Sequence, residues 1–165
     1  MPTSSRWSVC SAVRLFSFLF FFLFFFLVGP RPTMAQCTSD CGNFYTVPPC
    51  RLIDTRFPGP GPYSGQLVSD IGRSYDFRGV CGISSTATAV AINVTVVAPT
   101  DAGYLKIFPK EAPPPPTSAI NFSAGQTRAN NGLFRLSSNG FLSVYPSLLN
   151  QGSTHLVVDV FGYFD

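Results

Sequence analysis

Beyond residue 35 this chain has no Trp and no Met, a single His (His155) and a single Glu (Glu111). Charged residues make up 12% of the whole. Each shortage removes a class of function. Glycoside hydrolysis usually needs two placed carboxylates, but Glu111 stands in a proline loop and the Asp residues are scattered singly. There is no Gly-x-Ser-x-Gly elbow to supply a nucleophile for His155. Asp159 shares a strand face with His155, but four residues along a strand is roughly 13 Å, too far for one metal or a direct dyad. The sequence contains no Asp-x-Asp-x-Asp calcium loop and no glycine-rich phosphate loop running into a helix. Residues 36–165 hold eight bases and eight acids, so no basic patch for nucleic acid is expected. The expectation is therefore no catalytic residue, no metal, no cofactor and no nucleic-acid partner. A sustained 3.6-residue apolar period is also missing, which argues against helices.

The formal charge of +3 and much of the Phe content come from the first 35 residues. Arg6 and Arg14 flank a polar start, and Leu15–Val28 is a nearly unbroken apolar run of 14 residues. Gly29-Pro30 ends it, and Thr33 and Ala35 are small residues at the −3 and −1 positions of a cleavage site. This is the layout of a secretory signal. A spanning helix takes about 20 apolar residues, so cleavage after Ala35 is expected, with no stable membrane insertion afterwards. The alternative is a protein anchored by an uncleaved leader. Residues 36–47 form a Cys-containing segment, and 48–165 are expected to be one β-domain.

Cys37, Cys41, Cys50 and Cys81 follow the leader. An even count behind an export signal reads as two disulfides, with three possible connectivities. The spacing lacks the paired Cys-x2-Cys knuckles of common zinc sites. Cys37–Cys41 and Cys50–Cys81 is the expected pairing. The second would clip the first strand to a distant segment and stabilise by roughly 3–4 kcal/mol.

Period-2 stretches recur between Gly, Pro, Asn and Ser breaks. Strands are expected at Arg51–Arg56, Gln66–Ile71, Ser74–Arg78, Thr86–Ala98, Gly103–Pro109, Ser118–Phe122, Gln126–Ala129, Leu133–Leu136, Phe141–Tyr145 and His155–Phe164. Phe57–Gly65 is a Pro/Gly loop, and Pro113–Pro116 is a stiff polyproline connector. In Thr86–Ala98 the β-branched set Thr88, Val90, Ile92, Val94 and Val96 should face the core. Asn139-Gly140 carries the strongest short hairpin signal. Many short strands without a crossover helix imply an all-β antiparallel sandwich of about eight or nine strands.

Arg51-Leu52-Ile53-Asp54-Thr55-Arg56, Cys81-Gly82-Ile83, Ile92-Asn93-Val94-Thr95 with Pro99-Thr100, and Gly103-Tyr104-Leu105 with Phe108-Pro109 follow one another in order. Ile120-Asn121-Phe122, Gly125-Gln126-Thr127, Ala129-Asn130, Asp159-Val160 and Gly162-Tyr163-Phe164 complete the series. Taken together they resemble an uncharacterised secreted bacterial β-sandwich module, of a type found in actinobacteria and acidobacteria. Such modules occur alone, in tandem or attached to extracellular enzymes. The likeness spans about Pro48 to Phe164. No single motif is specific; their order and spacing are. Ser84 departs from the Pro common at that place in the family. The resemblance implies an extracellular β-sandwich without an established activity, and it also supports Cys50–Cys81.

Asp54 and Arg56 are a candidate charged spot, although a structural pair tying neighbouring loops is the plainer reading, because partly buried charges need partners. Tyr104, Lys106 and Phe108 share one side of a strand and form a possible ligand face. Tyr63, Tyr75 and Tyr145 are expected near turns. Sugar-binding faces favour Trp, so these rings could equally cover a sheet or the sandwich ends. Asn93-Val94-Thr95 and Asn121-Phe122-Ser123 match the glycosylation pattern but fall within strands. Asn121 and Asn130 are expected to anchor turns. The functional expectation is a secreted, non-catalytic module that engages a cell surface, a matrix or a partner protein. A carbohydrate- or cell-wall-binding module is the alternative, with an unknown protein or cell-surface glycan as partner. A small secreted hydrolase is a further one.

Overall fold

The computed structural model describes residues 42–59 and 61–165. The leader, its cleavage site, Cys37 and Cys41 lie outside them. Nine strands are present among the described residues: β1 (Phe44–Asp54), β2 (Leu67–Val68), β3 (Arg73–Asp76), β4 (Ala89–Val97), β5 (Gly103–Pro109), β6 (Ile120–Phe122), β7 (Arg128–Arg135), β8 (Phe141–Leu148) and β9 (Ser153–Phe164). They form two sheets. The first runs β1-β9-β4-β7, with β2 also paired to β9; the second runs β3-β8-β5-β6. Every pairing is antiparallel. The fold is a β-sandwich.

The alternation in β4 fixes the inner face of the first sheet. Val90, Ile92, Val94 and Val96 are all buried. They meet Leu105, Ile107, Leu142 and Val144 from the second sheet in one continuous core. Thr88 does not join that row. It precedes the strand and is exposed, with its amide donating to the Phe164 carbonyl at 2.8 Å.

The strand expected at Arg51–Arg56 begins earlier, at Phe44, and ends at Asp54. Its pairing with β9 breaks between Thr46 and Cys50, where Pro48 and Pro49 have no N–H to give. An outer strand tolerates that loss. Along β9, Ala91 pairs with Gly162 and Ile92 with Val160, so Phe161 is an extra residue in a bulge. The bulge resets the alternation and lets Val160 and Tyr163 both pack on the core side.

Two expectations about β7 and β8 are corrected. Gln126–Ala129 and Leu133–Leu136 are not separate strands; they merge into β7, which pairs with β4 along its length. Asn139-Gly140 makes a turn, with the Gly140 amide donating to the Ser137 carbonyl at 3.0 Å, but no hairpin. A two-residue hairpin turn of the Asn-Gly kind needs positive φ at both residues. Gly140 has φ 87°, and Asn139 is not among the residues with positive φ. The turn instead carries the chain from the first sheet to the second.

Cys50 in β1 is disulfide-bonded to Cys81 in the loop after β3, across a Cα–Cα distance of 5.7 Å. The bond therefore ties β1 to the loop that carries the chain from the second sheet back to the first. Such bonds persist in oxidising compartments. No described helix is long and apolar enough to cross a membrane.

Candidate functional site

The outer face of the first sheet carries a chain of charges. Arg56 grips Asp54 with two bonds, Nε to Oδ1 at 2.8 Å and Nη2 to Oδ2 at 2.6 Å. Arg51 grips Asp159 in the same way, at 2.8 and 3.0 Å, and its Nη1 is 3.6 Å from Asp54. The Arg56 bond holds the Asp54 carboxyl below the usual carboxylate range. Arg56 lies just past the end of β1, so this pair is made across a turn, not along a strand face.

Thr55 between them is buried. Its amide donates to the Leu156 carbonyl at 3.0 Å, and its Oγ1 accepts from the Leu156 amide at 2.8 Å. His155 Nδ1 stands 3.1 Å from the Thr55 carbonyl and 3.3 Å from its Oγ1. The Asp-Thr-Arg segment is thus stapled to β9, and every charge in it is answered from within the chain. The His155 ring hydrogen-bonds only Thr55 among the described residues, while Asp159 is engaged by Arg51. The described residues hold no group of three or more His, Cys, Asp or Glu placed to bind a metal ion.

The outer face of the second sheet is different in kind. Tyr104, Lys106 and Phe108 alternate with the buried Leu105 and Ile107 along β5 and are all half-exposed. Lys106 pairs with Tyr145 on β8, and Tyr104 with Ser147. Tyr145 is therefore not near a turn but in mid-strand, next to the expected ligand face. Its hydroxyl donates to Asp70 Oδ1 at 3.3 Å. Desolvation, then the Asp70 charge, raises its pKa, and Tyr104 adds to the same effect. Tyr75 belongs elsewhere. It is fully buried, packed edge-on against Tyr63 at 5.5 Å, and its hydroxyl has no hydrogen-bond partner among the described residues.

A recess of about 280 Å³ opens beside β5 and β6, lined by Tyr104, Lys106, Pro116, Ser118 and Asn121. The Lys106 Nζ sits 5.7 Å from the Tyr104 ring centroid, a cation–π distance. Phe108 lies outside the recess. Tyr104 is also a wall of a second recess of about 330 Å³, shared with Phe122, Ser147 and Leu149. Asn121 is a wall of a third, of about 170 Å³, between β6 and the sheet-edge strand β7, where Arg128 and Asn130 contribute. Asn130 anchors its surroundings as expected, donating to the Ala119 carbonyl at 2.8 Å. Asn121 does not: its side chain is exposed and makes no hydrogen bond among the described residues. Ser118 is likewise unpaired there. The ion pairs among the described residues involve Arg51, Asp54, Arg56 and Asp159, leaving Lys106 and Arg128 outside them.

Sequence reasoning found Tyr104 and Lys106 but missed Pro116, Ser118, Asn121, Arg128 and Tyr145 as their neighbours. No local pattern marks them, because the connector after β5, strand β6 and edge strand β7 meet only through sheet pairing. No protein-family model matches the chain, and no curated protein matches it either.

Proposed function

We propose that this protein is an exported, non-catalytic β-sandwich module that binds a cell-surface or matrix component through the outer face of its second sheet. The observation that carries this reading is a contrast between the two faces. On the β1–β9 side of the first sheet, Arg51, Asp54, Arg56 and Asp159 satisfy one another. On the second, Tyr104, Lys106, Ser118 and Asn121 surround a recess, with Lys106 lacking a counter-ion and the Ser118 and Asn121 side chains lacking hydrogen bonds among the described residues. Side chains so placed keep their hydrogen-bonding and ionic capacity for something outside the chain. The Cys50–Cys81 bond supports an oxidising location, and the signal-like leader supports export.

The test is co-sedimentation of the purified full chain with isolated envelopes of the producing cell. The wild type should sediment. Tyr104→Ala should weaken binding about tenfold, the equivalent of 1.4 kcal/mol, and Arg51→Gln on the opposite sheet should leave it unchanged. Equal sedimentation of all three proteins, or of none, contradicts the proposal.

A further inference from the structure

The three recesses lie in series and share walls. Tyr104 stands between the 330 Å³ and 280 Å³ recesses, and Asn121 between the 280 Å³ and 170 Å³ recesses. All three are open and lie at or below the lower end of the size range, about 300–1,000 Å³, of a deep pocket for a drug-sized molecule. A row of shallow hollows with common walls suits a linear ligand with one unit per hollow. The chemistry changes along the row. The first hollow offers Phe122 and Leu149, the second Lys106 with Ser118 and Asn121, the third Arg128 with Asn130. Asp101 borders the apolar end, where its carboxylate accepts from Thr100 Oγ1 at 2.8 Å and Asn150 Nδ2 at 3.1 Å.

From this we infer that the row of hollows along β5, β6 and β7 takes a strand of acidic polysaccharide whose sugars carry carboxylates. The inference rests on the reading of this face as the binding surface and gives that surface a ligand class. The Tyr104 ring and Pro116 provide apolar surfaces for the C–H face of a sugar ring. Ser118 and Asn121 donate to and accept from ring hydroxyls. Lys106 and Arg128 occupy successive hollows, so carboxylates on neighbouring sugars meet two cations that have no counter-ion in the described chain. A neutral glycan would leave both cations unanswered.

The test is affinity electrophoresis of the full chain through gels containing polygalacturonate, sulfated dextran or neutral dextran. Retardation by polygalacturonate, weak or no retardation by neutral dextran, and weakening by added salt are expected. Lys106→Gln and Arg128→Gln should each weaken the interaction about two- to fivefold, the range for exposed ion pairs. Lys110→Gln is the control. Lys110 caps the Phe141 ring at 4.7 Å and lies outside the row, so its loss should change nothing. The three side chains are at least partly exposed, and matched thermal unfolding confirms that each variant is folded.

Equal losses for Lys106→Gln and Lys110→Gln overturn the inference, as does equal retardation by sulfated dextran, because both describe unspecific polyanion binding. Retardation by neutral dextran that depends on Tyr104 but not on Lys106 overturns the acidic ligand while leaving the binding face intact. Failure to bind any of the three polymers, with envelope sedimentation still dependent on Tyr104, overturns the glycan and again leaves the face. If sedimentation is also independent of Tyr104, both fail together.

Discussion

Removing the Cys50–Cys81 bond tests how much stability comes from tying β1 to the loop between β3 and β4. The bond closes a loop with a sequence separation of 31 residues. The chain-entropy treatment gives about 3–4 kcal/mol for a loop of that length. A second contribution acts at Cys81 itself. Its φ is 53°, a left-handed conformation that costs a non-glycine residue about 1 kcal/mol or more. Once the bond is gone, glycine at that position removes the cost. Cys50→Ala with Cys81→Ala should therefore lose about 3–4 kcal/mol, and Cys50→Ala with Cys81→Gly about 1 kcal/mol less. Equilibrium urea unfolding reads both. With a slope of about 1.5–2 kcal/mol per molar urea, the midpoint of the double-alanine variant should fall by about 2 M. Two-state domains of this size have only about 5–15 kcal/mol in total, so the shift is large against the whole. A midpoint within roughly 0.5 M of the wild type, well short of the expected fall, would refute the reasoning. Identical midpoints for the alanine and glycine versions would refute the part assigned to Cys81.

Three smaller predictions follow from individual side chains. Tyr75 buries a hydroxyl without a hydrogen bond of normal geometry among the described residues, the Arg73 guanidinium lying nearby, and leaving such a group unpaired costs about 1–3 kcal/mol. Tyr75→Phe should keep or raise the thermal midpoint, and a clear fall would reveal a partner for the hydroxyl. Asp54 has its pKa lowered chiefly by the Arg56 bond. Its stabilisation is complete above the ordinary Asp value of about 3.9 and is lost as pH falls through the lower folded value. Acid unfolding curves should then be flatter below about pH 4 for Asp54→Asn, and identical curves would contradict the assignment. Gly162 leaves no room for a Cβ beside the Phe44 ring. Gly162→Ala should cost about 1–3 kcal/mol, and the cost should shrink in a Phe44→Ala background, because the two residues touch.

How much of this was legible in the sequence depends on where each signal resides. The inner row Val90–Val96 could be read directly, because burial of one face imposes period two on a long strand. β7 could not. Arg128, Asn130 and Gly132 take the inward-facing positions at a sheet edge, opposite Val96, Val94 and Ile92, so no apolar alternation marks them. The turn at Asn139-Gly140 is a local property and was visible. Which sheet each flanking strand joins depends on distant partners, and those lie in β4, β3 and β5. Tyr75 and Tyr145 show the same limit. Tyr75 sits in a four-residue strand and is sent into the core by its pairing with Leu142, while Tyr145 is no strand end because β8 runs on to Leu148 against β5, leaving it facing out opposite Lys106. The recess followed the same rule. Its β5 wall, Tyr104 and Lys106, could be read from alternation; Pro116 and Ser118 come from a connector whose path no local pattern fixes.

The binding face can be mapped by an amide and side-chain correlation NMR titration of the full chain with the solubilised envelope fraction it sediments with. Shifts are expected only in the second sheet and its rim, at Tyr104, Lys106, Ser118, Asn121 and Arg128, with Arg51, Asp54 and Asp159 unmoved. Shifts centred on the Arg51–Asp159 face, or a Tyr104→Ala protein that titrates as the wild type does, would contradict that placement of the binding face.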